Sequence, residues 1–154
     1  MPESMLVNHL VDPAAGNSRY PRIMLLPAIV LITAALIFYS IGVWAEHLQR
    51  VLKWWHAGFF AVGLVFDASG TYLMSRIAAT GGVQASGLGT GLNTIMAVTG
   101  AAALLLMVLH LVWAVIVLLR NQEAEKSSFH KFSLIAWGIW LVPYFTGAIG
   151  ANMG

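Results

Sequence analysis

The run from Thr94 to Leu119, TIMAVTGAAALLLMVLHLVWAVIVLL, contains no Asp, Glu, Lys or Arg and a single histidine, His110. A helix of about 20 apolar residues crosses the ~30 Å hydrocarbon layer of a bilayer, so this run is long enough to span it. Three similar runs accompany it, at about Ile23 to Trp44, Lys53-Trp54-Trp55 to Ser75-Arg76, and Phe129 to Ile149. Of the 154 residues, 59% are hydrophobic and only 9% charged. A soluble chain keeps roughly a quarter of its residues charged to cover its surface. The reading is therefore an all-α integral membrane protein.

The connections set the topology. Glu46 to Lys53 and the polar linker Arg120 to Ser128 are short enough to force antiparallel neighbours, whereas Ala78 to Gly91 is a longer uncharged Gly/Ala/Thr/Ser loop. Together these predict an up-down-up-down four-helix bundle over residues 23–150. A polar N-terminal arm, 1–22, precedes it and lacks the basic start and apolar core of a signal peptide. Arg50, Lys53, Arg120, Lys126 and Lys131 outnumber Arg19, Arg22 and Arg76 on the other side. The positive-inside rule then puts both short linkers in the cytoplasm and both termini outside. The chain has no cysteine, which excludes disulfides, thiolate metal sites and covalent c-type haem. A net charge of +2 gives no footprint for nucleic acid.

Four of the five histidines (His47, His56, His110 and His130) lie at the ends of these runs or inside them. An ionisable side chain in a bilayer is costly and by default marks a functional site. At 100° per residue, each run offers one face with a histidine and small or polar companions. The first carries Thr33, Ser40, Trp44 and His47; the second His56, Gly63, Asp67, Gly70, Thr71 and Met74. The third carries Met96, Ala103, Met107, His110 and Trp113 or Ala114; the fourth His130, Ser133, Trp137, Leu141 and Tyr144. Facing imidazoles in a bundle core suit the axial ligation of haem b. With the basic residues marking one interface, His56 lies about 4 Å inside and His110 roughly 15 Å deep at 1.5 Å per residue. On that depth His56 and His130 are the expected iron pair, with His47 the substitute. The wider cofactor-binding set is His56, His130, His110, His47, Trp137, Tyr144 and Asp67.

Each of these residues also has a plainer use. His47, His56 and His130 fit an interfacial belt, His110 fits a hydrogen-bonded core histidine, and Asp67 fits a helix–helix hydrogen bond to Thr71, Tyr144 or His110. A carboxyl inside a span also suits a proton site or a quinone site.

The segment Leu52-Lys53-Trp54-Trp55-His56, followed by Gly63 to Thr71 and Met74, resembles the haem-stress membrane proteins (HsmA), a family of small four-span bacterial membrane proteins. His110 to Ala114 and Phe129-His130-Lys131 through Trp137, Trp140 and Tyr144 to Gly147 are similar as well, so the resemblance covers the second to fourth runs. It implies haem capture in the bacterial cytoplasmic membrane, associated with haem or oxidative stress. The leading expectation is a b-type haem protein that sequesters haem or transfers electrons, without a dedicated catalytic site. Its partners would be haem, lipid, and a quinone or membrane redox protein, in a homo-oligomer or a larger complex. The alternatives are an accessory subunit of a membrane complex and a small proton-coupled transporter using Asp67.

Overall fold

The computed structural model describes the backbone of residues 20–79 and 88–152 and the side chains of 23–77, 79 and 98–146. These residues form four helices and no strand: α1 (Tyr20–Gln49), α2 (Trp54–Ala79), α3 (Leu88–Arg120) and α4 (Glu123–Asn152). The polar arm before Tyr20 lies outside the described residues, but 20–22, read as part of it, are helical. The loop expected over Ala78–Gly91 is shorter than its composition suggests, because α3 already begins at Leu88. Among the described residues, three segments are long and apolar enough to cross a membrane: Ile23–Gln49, Trp54–Ile77 and Val98–Arg120, with mean hydropathy 2.4, 1.3 and 2.8. The fourth run is helical as well, and its described part, which ends at Thr146, falls below that level.

Two tight turns join α1 to α2 and α3 to α4 at the same end of the molecule. Arg50 closes α1 with φ 52° and an N–H to the Glu46 carbonyl at 2.8 Å; Asn121 closes α3 with φ 54° and an N–H to the Val117 carbonyl at 3.1 Å. Both are left-handed C-terminal caps. The linker expected over Arg120–Ser128 shrinks to Asn121 and Gln122. Glu123 and Glu125 favour the positive end of a helix, and Lys126 N–H already bonds the Gln122 carbonyl at 3.1 Å. Lys126 also reaches Asn121 Oδ1 and Glu123 Oε1, while Arg120 pairs with Glu125 at 3.2 Å. The Leu52 N–H meets the Lys126 carbonyl at 3.4 Å, which ties one turn to the other.

Each helix packs on its chain neighbours, and α1 also packs on α4. The α1–α2 contact is the most extensive and depends on glycine. A Cβ at Gly63 would stand 2.6 Å from the Tyr39 ring; at Gly70 it would stand 2.5 Å from Ile32 Cγ1, with the Ala28 carbonyl at 3.3 Å. Phe60 fills the space beside Gly42 in the same way. Small residues let helix backbones approach where no hydrophobic difference between lipid and protein drives association. The α1–α4 seam is the loosest of the four. Ile37, Val62, Leu105, Leu109, Ile135 and Ile139 face outward, giving the helices an apolar surround.

Candidate functional site

The interior polar groups fall into two layers. In the first, Asp67 Oδ2 accepts the Trp140 indole N–H at 2.8 Å and the Tyr39 hydroxyl at 3.3 Å, and the Tyr39 and Trp140 rings meet edge to face. In the second, His110 Nε2 stands 3.1 Å from Ser133 Oγ, and the Ser133 hydroxyl faces the Glu46 carboxyl without closing a hydrogen bond onto it. Phe60 and Phe129 pack on the His110 ring with centroids at 4.6 and 5.4 Å, and Phe132 lies at 5.8 Å. The residue pairs Tyr39 and Glu46, Phe60 and Asp67, and Ser133 and Trp140 are each seven apart in sequence. Seven residues are two helical turns, about 10 Å, on every one of these helices. Glu46, His56, His110 and Ser133 are fully buried, and Asp67 nearly so at 5% exposure.

The histidines sort by what their nitrogens do. His130 Nδ1 lies 2.7 Å from the Ser127 carbonyl. A carbonyl only accepts, so Nδ1 donates its N–H, and Nε2 is the ring nitrogen left for another partner. This is the usual state of a metal-ligating histidine, whose other ring N–H is held by an acceptor. Across the α1–α4 seam, the His47 ring lies 5.7 Å from the His130 ring, centre to centre, and His47 Nδ1 is buried without a partner. Trp44 lies edge-on to both His47 and Trp137, at 5.9 and 6.2 Å, so aromatic surface flanks the pair.

His56 is engaged differently. Its Nδ1 accepts the Lys53 backbone N–H at 3.0 Å, while the Lys53 carbonyl accepts the His56 N–H at 3.0 Å. This is one half of a capping box, in which a side chain at the third helical position returns to the N-cap N–H. The imidazole proton therefore sits on Nε2, the nitrogen an iron would need bare. Its ring contacts Trp55 at 3.9 Å; among the described ring contacts His56 does not meet His130. His110 is occupied as a core residue by Ser133 and the three phenyl rings. Its Nδ1 has no partner, so Ser133–His110 lacks the carboxylate that orients the base in a nucleophilic triad.

Of the other expected site residues, Trp137 donates its indole N–H to Ser40 Oγ at 3.2 Å beside the histidine pair. Tyr144 stacks on Trp140 at 5.8 Å and belongs to the Asp67 layer instead. Asp67 turns inward as expected, but toward Tyr39 and Trp140 and not toward Thr71, Tyr144 or His110. Sequence reasoning missed Tyr39, Glu46 and Trp140 as interior polar groups. The available signal was the spacing of Tyr39, Val43 and Glu46 (i, i+4, i+7), which outlines the true buried face of α1. Among the described residues no group of three or more His, Asp or Glu is arranged to hold a bare metal ion. Among the described ring contacts, His47–His130 is the one pair of histidines. Comparison with family models, curated proteins and solved structures finds no match to this chain.

Proposed function

We propose that the chain is a membrane-integral up-down-up-down bundle that holds haem b between His47 of α1 and His130 of α4. The observation that carries this reading is the His47–His130 ring pair at 5.7 Å across the loosest seam, with Nδ1–H of His130 given to the Ser127 carbonyl. Both residues offer an imidazole, the usual protein ligand of haem iron, to the same seam. In this reading His47 takes the ligand role expected of His56, whose Nδ1 accepts the Lys53 N–H at the start of α2. Haem with two imidazole ligands supplies one-electron chemistry and no open coordination position. Sequestration or electron transfer is therefore the function, in line with the resemblance to the haem-stress membrane proteins.

Within this reading the chain has three tasks. Ser127 keeps the His130 ring in one tautomer and orientation. Trp44 and Trp137 offer aromatic surface at the seam, with the Trp137 indole N–H anchored on Ser40. The surrounding apolar faces seat the bundle in the bilayer, with the two short turns and their basic residues on the cytoplasmic side of a bacterial inner membrane.

The test is the absorbance spectrum of protein purified in detergent from haem-replete cells. The expected result is a Soret band and, on reduction, the sharp α band of low-spin bis-histidine haem. His47→Ala and His130→Ala should each lose the pigment or render it high-spin, whereas His56→Ala keeps it low-spin. Colourless protein that also fails to take up added haemin rejects haem binding. Loss of pigment in His56→Ala but not in His47→Ala rejects this ligand pair.

A further inference from the structure

We propose that Asp67 is an exchangeable proton-binding site in the membrane interior, clamped by Tyr39 and Trp140 and reached from the Arg76 end of α2. The proposal rests on the membrane reading and is independent of haem. Asp67 is the fourteenth residue of α2, about 20 Å from its start and near mid-membrane at 1.5 Å per residue. Both of its hydrogen-bond partners are neutral. The groups that could compensate an ionised carboxylate lie elsewhere on every packed element. On α1 the facing titratable group is Tyr39 itself, with Glu46 two turns away. On α4 it is Tyr144, stacked on Trp140. On α3 it is His110, in the other polar layer and engaged by Ser133. On α2, His56 and Arg76 are eleven and nine residues away.

The two oxygens of Asp67 are not equivalent. Tyr39 and Trp140 both donate to Oδ2, leaving Oδ1 free of them. Both oxygens of Glu46 are sealed and unpartnered, whereas Oδ1 of Asp67 is not among the sealed unpartnered atoms, and the residue retains 5% exposure. Oδ2 thus behaves as the carbonyl oxygen of an acid and Oδ1 as the oxygen that takes the proton. Thr71 and Ser75 follow at i+4 and i+8 and put hydroxyls on successive turns of the same helix face, Thr71 half-buried and Ser75 exposed. A purely structural clamp needs one acceptor oxygen for two donors; Asp67 keeps a second oxygen, with hydroxyls on the next two turns of α2 toward Arg76. The step forms one O–H bond on Oδ1, takes the proton from hydronium and leaves water; it involves no redox partner.

Dicyclohexylcarbodiimide, an apolar reagent that adds only to protonated carboxyls, tests this on the full-length wild-type chain in detergent and in liposomes, with adducts mapped by peptide mass. The expected adduct is on Asp67, it is lost in Asp67→Asn, and it does not form with a water-soluble carbodiimide. The labelling rate should fall about tenfold per pH unit above the site's midpoint, as the protonated fraction does. Infrared difference spectra of wild type against Asp67→Asn, in water and heavy water, should show a carboxylic-acid carbonyl band that shifts on exchange. Labelling confined to Glu46, a pH-independent rate, or absence of both the adduct and the exchangeable band at every pH overturns the proposal. Pigment content has no bearing on any of these readouts, so the haem reading fails or survives separately.

Discussion

The Trp140 indole on α4 donates to Asp67 on α2 across 2.8 Å, joining residues 73 positions apart in the chain. Trp140 and Asp67 are both buried, so breaking this bond leaves the indole N–H without a partner. Asp67→Asn retains an acceptor oxygen and should unfold within a few degrees of wild type in detergent. Asp67→Leu strands the indole N–H and the Tyr39 hydroxyl and should cost about 1–3 kcal/mol for each group left unpartnered. Thermal unfolding followed by circular dichroism reads the difference, and equal midpoints for Leu and wild type would show that this layer does not hold the helices together.

Glycines in α2 and α4 should divide by environment. Gly70→Ala forces a Cβ to 2.5 Å from Ile32 and toward the Ala28 backbone, so α1 must back away, at about 1–3 kcal/mol. A Cβ at Gly58 or Gly138 meets nothing within 4 Å, and alanine there should stabilise by about 0.5–1 kcal/mol through helix propensity. The same unfolding assay applied to the three variants checks the order, and Gly70→Ala at or above wild type would contradict the close α1–α2 approach.

His56 should behave as a cap. Glutamine at the third helical position can also return to the N-cap N–H, so His56→Gln should keep most of the stability that His56→Ala loses, about 1 kcal/mol. Amide hydrogen exchange at Lys53 is the local readout: fast in Ala, protected in wild type and Gln.

Arg50 adopts φ 52°, a region costing a side-chain-bearing residue roughly 1–2 kcal/mol. Arg50→Gly should therefore stabilise the α1–α2 turn, whereas Asn121→Gly, at a residue type already tolerant of that region, should change little. Paired unfolding midpoints for the two variants test this asymmetry.

The sequence made two of the four buried faces legible. On α2, His56, Gly63, Asp67 and Gly70 turn inward together, and on α3 so do Ala103, Met107, His110 and Ala114, because in both helices one polar or small stripe stands out from a bulkier apolar surround. The faces of α1 and α4 were rotated by about one residue. Helix α4 is crowded with aromatics, and a tryptophan at a lipid interface looks in sequence like Trp140 in a core. On α1, Glu46 sits so near the basic turn that it was assigned to the connection, although the helix continues to Gln49 and buries it. Hydropathy grades single residues, while the Asp67 clamp is a property of three residues on three helices. The histidine pair was hidden for the same reason: depth counted along each helix gives a level, but the nitrogen that faces a carbonyl is decided by the local turn.

The seven-residue interval between the polar layers has a consequence for assembly. If α4 slid one turn along α1, Trp140 would leave Asp67 and Ser133 would leave His110 in the same movement, so neither mismatch could be relieved by accepting the other. If it slid two turns, the Trp140 indole would face the phenyl-lined imidazole in one direction, or the small Ser133 hydroxyl would face the carboxyl in the other, a mating wrong in volume either way. Helices inserted independently into a bilayer can glide past one another with little resistance from the lipid; here the two rungs act as a vernier that admits a single axial setting.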